Sequence, residues 1–583
     1  MEPPSQVCRP ASIAFSILVL TYITLGVSYV TTDKSDIGDI NIITKWPGDT
    51  LISWKTPTRI AYKKENLSLQ SNKWGFEVNS KLISYSWTKL LLDKKAVVTQ
   101  YDDPTLFSDM SACMMRLPYF RDAPGLCEDF LREVFEYVSA KLRREMTDFT
   151  FNNTPMECWV TLPAIWSDEA KDATLQAAKR AGFGNRPGDE VFTISEPEAA
   201  AIATLKRYAA SGPDVLNPVK PNENILILDC GGGTVDITTY KITQVEPRLD
   251  FEELCVGIGG KYGSTYIDRR LHVLLSQRFG DAFKNVSWAQ KGPGSKFMAC
   301  FEGIKRDFGL KDNHEERELG PINLSIPDSE FYDEEERLIK LSYDDMQDLF
   351  DPVIQDVLQL VGQQVKDAKE NNGAKIDRII LVGGFGESPY LFKELEKWCR
   401  RNGGITLMCP DHPQSAVVRG AALRGLEGIA PRMKRARRHY GFGLCIPFRE
   451  GIDPEERASI DDFDDGEKIF SDTFRTQDVR SVITPGQAAT SNIIMYSCGL
   501  NDPPEYYSNP RVEEVGGITS KFEKDFDFGP SLRTTYNARL GRNVEQFSHQ
   551  LQVRFGDKGA NLQFRNLLNG KVVDEAVIEF GRR

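Results

Sequence analysis

The sequence predicts an α/β protein of two sheet-and-helix lobes followed by a separate β-rich C-terminal domain, and three observations carry that prediction. Between about 155 and 430, apolar strand-like runs alternate with segments of helical periodicity. Twice there, a strand, a turn and a capped helix follow one another, with glycines at the turns or the helix end, which suggests a ligand held between lobes. Beyond 440 the chain changes to short β-like runs separated by acidic or Gly/Pro-rich connections such as IDDFDDGEK (460–468).

In the first of these units, Cys158 to Leu162 reads as a strand closed by Pro163, Ser167 caps a helix with Asp168 and Glu169 in its first turn, and Gly182 ends it. In the second, Ile379-Ile380-Leu381-Val382 is a continuous apolar strand ending at Gly383-Gly384. Ser388 and Pro389 then start a helix that stops at Gly403-Gly404. No internal sequence repeat is apparent. The expected division is a module over 1–430, with a first lobe of about 1–222 plus 406–430 and a second of 223–405. A basic linker (431–440, containing PRMKRARRHY) and a β domain (441–583), irregular over about 500–535, follow.

At 583 residues the chain exceeds what one hydrophobic core supports. A net charge of −12 argues against nucleic acid as a partner and leaves the five basic residues of the linker as an exposed connector. Eleven scattered cysteines without a C-x-x-C pair fit reduced thiols in the cytoplasm better than zinc or a disulfide framework. The uncharged stretch Ala11 to Val30 reads either as two consecutive β-strands, which its β-branched residues favour, or as a signal anchor, which its length allows.

The chemistry concentrates at Ile225-Leu226-Ile227-Leu228-Asp229-Cys230-Gly231-Gly232-Gly233-Thr234-Val235-Asp236. An apolar strand delivers a carboxylate to its end, and three glycines let successive N–H groups face an anion. Asp229 and Asp236 are then the candidates for holding a hydrated Mg²⁺ beside a phosphate, and a Gly-rich turn that binds nothing is the alternative. Downstream, Phe297, Phe301, Ile304 and Phe308 share one helix face, while Glu302, Lys305 and Arg306 gather on another. That charged face suits a ribose and a purine, or is an ordinary solvated face with an ion pair.

The motif D-x-G-G-G-T-x-D resembles the second phosphate loop of the 70-kDa heat-shock (DnaK-type) chaperones. Further segments match in order: WVTLPAIWSDEAKDATLQAAKRAGF (159–183), FTISEPEAAAIAT (192–204), Gly257-Ile258-Gly259-Gly260, the helix at 301–306, LVGGFGESPYL (381–391) and Gly420-Ala421-Ala422. The resemblance implies a two-lobed actin-like (ribonuclease H-like) ATPase fold that binds ATP/ADP with Mg²⁺ between its lobes. The turns after Leu228 and Val382 are then expected to face each other across the cleft. By the same match Pro163 belongs to an interlobe relay, Glu196 to the metal's outer shell and Gly259-Gly260 to a loop closing over the phosphates. Glu302, Lys305 and Arg306 hold adenosine, as do Gly383 and Gly384, and Lys89 is the candidate for the lysine aimed at the γ-phosphate.

Two departures stand out. Glu387 occupies the place of an arginine that covers the base, and the family's first phosphate hairpin, Asp-x-Gly-Thr-Thr, is missing, with Val19 at the Asp position. The absence of a helical lid resembles the atypical twelve-type members seen often in fungi. The implied function is an ATP-binding, chaperone-like switch with slow or absent hydrolysis, its β domain taking an unfolded or peptide client. A catalytically inactive nucleotide-sensing scaffold is the alternative, and a sugar kinase a weaker one.

Overall fold

The computed structural model describes residues 13–20, 24–34, 37–86, 92, 117–164, 166–209, 217–311, 315–461, 463, 468–475, 479–483, 488–500, 502–524, 526–555 and 562–577. The chain divides into two compact units, 1–435 and 436–583.

The first unit is built on two mixed sheets of the same topology. In the first lobe β1 (Ile13–Leu20) and β2 (Thr24–Thr31) form an antiparallel hairpin, with β3 (Asn41–Ile42) and β4 (Thr56–Pro57) paired onto β2. A small three-stranded sheet, β5 (Arg59–Ala61), β6 (Lys73–Trp74) and β7 (Tyr85–Ser86), and helices α1 (Ala123–Met146) and α2 (Asp148–Asn153) follow. The chain then adds β8 (Met156–Leu162) parallel to β1, helix α3 (Asp168–Ala181), β9 (Glu190–Ser195) parallel to β8, and helix α4 (Glu196–Ala209). The Ser167 hydroxyl accepts from the N–H of Ala170 at 3.2 Å, and Gly182 ends α3 at a φ of 121°.

The second lobe repeats this order. A hairpin of β10 (Asn224–Cys230) and β11 (Val235–Gln244) is flanked by β12 (Asp250–Glu253) and β13 (Ile258–Gly260), both paired to β11. An outer part holds α5 (Thr265–Phe279), α6 (Asp281–Lys284), α7 (Trp288–Lys291), α8 (Lys296–Asp307) and the three-stranded sheet β14 (Arg317–Leu319), β15 (Tyr332–Asp333), β16 (Leu338–Leu341). Helix α9 (Tyr343–Asn372) leads to β17 (Arg378–Val382), parallel to β10, then α10 (Pro389–Arg401), β18 (Thr406–Met408), parallel to β17, and α11 (Ala416–Glu427). The second sheet thus reaches Met408, slightly past the expected boundary at 405. The repeat missing from the sequence is present in the topology, where strand direction and pairing, not residue identity, are what recur.

Helices α4 and α11 pack between the two sheets. Residues 196–205 of α4 are buried on every side, as expected of a helix without a solvent face. Its alanines, with Ile202 and Leu205, share one core with Ile225, Ile227, Ile380 and Val382 of the second sheet and Trp159 and Ile194 of the first. The helices approach so closely that a Cβ on Gly420 would sit 1.6 Å from the Ala199 carbonyl oxygen, so only glycine fits there.

The N-terminal apolar stretch forms the β1–β2 hairpin of a sheet, and no helix among the described residues is long and apolar enough to cross a membrane. The basic linker begins as a docked segment rather than a free connector. The Arg432 N–H donates to the Phe251 carbonyl at 2.8 Å, the Glu253 N–H donates to the Met433 carbonyl at 3.0 Å, and Lys434 pairs with Glu198 at 2.8 Å. The open edge of β12 supplies the backbone groups that capture it.

The second unit is β-structure among its described residues, apart from short 3₁₀ turns. One antiparallel sheet holds β19 (His439–Pro447), β20 (Ala458–Ile460), β21 (Lys468–Arg475), β23 (Ala489–Cys498) and β24 (Val512–Phe522). The other holds β22 (Val479–Ile483), β25 (Leu532–Asn537), β26 (Arg542–Phe555), β27 (Leu562–Leu568) and β28 (Lys571–Val577). Phe522, Phe528 and Phe547 meet in its core. The stretch expected to be irregular contains β24, an 11-residue strand whose glycines and charges masked the alternation.

Candidate functional site

Strand β10 carries its apolar run through the buried sheet and ends with Asp229 opposite Asp236 in the antiparallel register, both side chains buried. The glycine turn between the strands is anchored by its carbonyls. Those of Gly231, Gly232 and Gly233 accept from the N–H groups of Ser264, Thr265 and Gly263 at 3.2, 2.9 and 3.3 Å. The Thr265 hydroxyl adds a bond to Gly232 at 2.8 Å. In a trans peptide the next N–H points opposite to the carbonyl. The amides of Gly232, Gly233 and Thr234 are therefore turned away from the start of α5, where successive N–H groups can receive an anion.

Gly263 makes this anchoring possible, because a Cβ there would lie 2.2 Å from the Gly232 carbonyl carbon. The sequence offers no motif that singles it out. Gly383 is constrained similarly: its φ is +90°, and a Cβ would meet the Cys230 carbonyl oxygen at 2.3 Å and Asp229 Oδ1 at 2.4 Å. Gly384 follows it without crowding.

The turns after Leu228 and Val382 do not face each other across a cleft, as expected, but stand side by side at the same end of one sheet. Asp229 and Val382 are partners in the parallel β10–β17 pairing, which fixes the turns one strand spacing apart. Gly259 and Gly260 likewise lie in strand β13, opposite Asp236 and Val235, rather than in a closing loop. The backbone pairing of β13 with β11 holds them beside the carboxylate.

Helix α8 starts at Ser295, whose hydroxyl accepts from the Met298 N–H at 3.1 Å, and buries Phe297 and Phe301, with Phe308 just after its end. Lys305 is buried between Asp268 of α5 at 2.8 Å and Glu302 at 2.7 Å, and Arg306 pairs with Glu302 at 2.8 Å. Burial works against the Lys305 charge, but Asp268 and Glu302 outweigh it and raise its pKa above the ordinary lysine value. Burial also opposes the Glu302 carboxylate, which Lys305 and then Arg306 hold below its usual range. A cavity of about 560 Å³ opens beside Gly309 and Leu310 and is lined also by Gly386, Glu387, Ser388 and His412. Glu387 lies within electrostatic reach of Arg306, so a carboxylate stands where the resemblance puts an arginine.

The first lobe contributes Glu196, the buried first residue of α4, and a residue the sequence did not single out, Lys55. Strand β4 pairs with β2 through Leu25 and Thr56, which sets Lys55 beside Gly26, and a Cβ on Gly26 would lie 3.4 Å from Lys55 Cγ. Lys55 is half-buried, and desolvation of its ammonium lowers its pKa against the pull of Asp229, Glu196 and Glu387. The neighbouring Trp54 stacks on His412 at 4.6 Å between centroids. Burial, with Glu196 and Asp236 adding to it and Lys55 opposing, pushes Asp229 up to about 8. Lys89 lies outside the described residues.

The first hairpin matches the second in register but not in chemistry. Val19 pairs with Gly26 and Leu20 with Leu25, where the second hairpin pairs Asp229 with Asp236 and Cys230 with Val235. Among the described residues no three His, Cys, Asp or Glu side chains converge as a metal centre. The donors present suit at most a hydrated ion held through water.

Comparison with known proteins places this arrangement. Residues 36–429 match the family model described as Hsp70 protein. The chain is 23% identical to heat shock 70 kDa protein 12B of Homo sapiens over 619 aligned positions, covering 90% of this chain and 86% of that protein. It is 24% identical to heat shock 70 kDa protein 12A of Mus musculus, with 58% of each chain covered. A heat shock cognate HSP70 protein of Trypanosoma brucei brucei is 29% identical over 45% of this chain and 35% of its own length. With the family model spanning well over half the chain and a twelve-type relative aligned along most of it, this protein belongs to the Hsp70 family and carries that family's actin-like ATPase fold.

Proposed function

We propose that the first unit binds ATP and ADP, with the phosphates on the 231–234 turn and the adenosine between α8 and the loop at 383–388. The observation that carries this is the run of three amides beside Asp229, adjacent in the same sheet to the Gly383 turn. Glu302 and Lys305 suit the ribose hydroxyls, and Arg306 can stack on the base. Glu387 can accept from the ribose or from an exocyclic amine. Where the nucleotide carries magnesium, Asp229 and Asp236 would face the ion through water, with Glu196 further out.

Hydrolysis is slow or absent in this reading, because the first hairpin brings Val19 and Gly26 where the second brings two carboxylates. Nucleotide state then acts by biasing the lobes between arrangements, and the β unit takes an unfolded or peptide client. A nucleotide-sensing scaffold without turnover is the second reading, favoured by the same hairpin. The scattered cysteines fit the cytoplasm as reduced thiols.

Isothermal titration of ADP and ATP into the full chain tests binding, and no heat at millimolar nucleotide would end the proposal. Single-turnover ATP assays with Asp229→Asn separate a slow ATPase from a scaffold: turnover that the substitution abolishes excludes the scaffold.

A further inference from the structure

The first hairpin lacks its carboxylate, yet its place is not empty of charge. The β4–β2 register and the contact with Gly26 lay the Lys55 side chain over the position that matches Asp236 in the second hairpin. Its side chain is half-buried with the ammonium in electrostatic reach of Asp229, Glu196 and Glu387, and it makes no direct ion pair with them among the described residues. Its three N–H donors are therefore left for another anion. The amides of Gly232 to Thr234 supply such an anion's other partners.

A divalent cation in a nucleotide cleft neutralises neighbouring phosphate oxygens and ties them to protein carboxylates. Here the carboxylates do not converge on one point among the described residues, and a lysine already stands among them. We propose that the Lys55 ammonium takes the place of the divalent cation, so that the cleft binds a nucleoside di- or triphosphate without magnesium. This rests on the nucleotide reading above and adds to it the form in which the ligand is recognised: the polyphosphate itself, with no requirement for its metal.

The test is calorimetric titration of ADP and of ATP into the full chain, in EDTA and in magnesium, for the wild type, Lys55→Met and Lys55→Arg. The wild type is expected to bind within about threefold in the two buffers. Lys55→Met should lose at least about tenfold in EDTA, the scale of one charge-assisted contact, and Lys55→Arg should keep most of the EDTA affinity. Thermal unfolding of each variant confirms that it is folded. Wild-type binding that requires magnesium, or Lys55→Met binding in EDTA like the wild type, overturns the inference while leaving the nucleotide site intact. Binding of neither nucleotide in either buffer removes the site and the inference together.

Discussion

The two hairpins that open the two sheets occupy equivalent places in one topology and differ in what they deliver. The β10–β11 hairpin ends in paired carboxylates and a glycine turn stitched to the start of α5. The β1–β2 hairpin ends in Leu20 opposite Leu25 and Val19 opposite Gly26, and its charge comes from Lys55, on a segment beside β2. Pairing and strand direction preserve the fold, while the residues at the strand ends are free to change the chemistry.

Five substitutions sharpen that contrast. The largest effect is expected at the stitched turn. Gly263→Ala drives a methyl into the Gly232 carbonyl and should cost ~3–5 kcal/mol while abolishing nucleotide binding. Gly26→Ala, in the first hairpin, meets Val418 Cγ1 at 3.2 Å and, at 3.4 Å, Lys55 Cγ and the Trp54 carbonyl oxygen, and should cost ~1 kcal/mol. Denaturant melts and nucleotide titrations compare the two.

Next comes Lys305→Met, which strands Asp268 without its cation and should destabilise by ~2–4 kcal/mol, read by thermal unfolding. The second lobe also carries a buried histidine. Burial and then Lys291 push His272 down to about 4, so the fold keeps it neutral while the unfolded chain protonates it from about pH 6.5. Its contribution is present above pH 6.5 and is lost as the pH falls toward 4, by up to ~2 kcal/mol. A melting series in which His272→Phe shows the smaller decline over that window would bear this out.

The last effect has the opposite sign. Asp229 is raised to about 8, so its ionisation increasingly disfavours the fold as the pH rises from about 4 to 8. Asp229→Asn should stabilise the nucleotide-free protein by at least ~2 kcal/mol at pH 8, while leaving stability at pH 4 nearly unchanged.

The charged hairpin was legible because its signals are adjacent in sequence: an unbroken apolar strand, an Asp, a glycine triplet and a second Asp. The faces of α8 and the helix starts at Ser167 and Ser388 were legible for the same reason, since helical periodicity and capping act within a few residues; Ser388 accepts from the Leu391 N–H at 3.3 Å. Lys55 and Gly263 were not, because pairing between distant strands and the approach of α5 to the turn give them their places. The side-by-side placement of the Gly231 and Gly383 turns was missed for a related reason. Register between β10 and β17, separated by about 150 residues, is a property of the assembled sheet.

Hydrogen–deuterium exchange of the full chain with and without ADP tests the central claim most directly, because it reads the backbone amides themselves. The account predicts slowed exchange in peptides covering 229–236, 300–310 and 381–390. Unchanged exchange at 229–236 under saturating nucleotide, with protection appearing elsewhere, would contradict it.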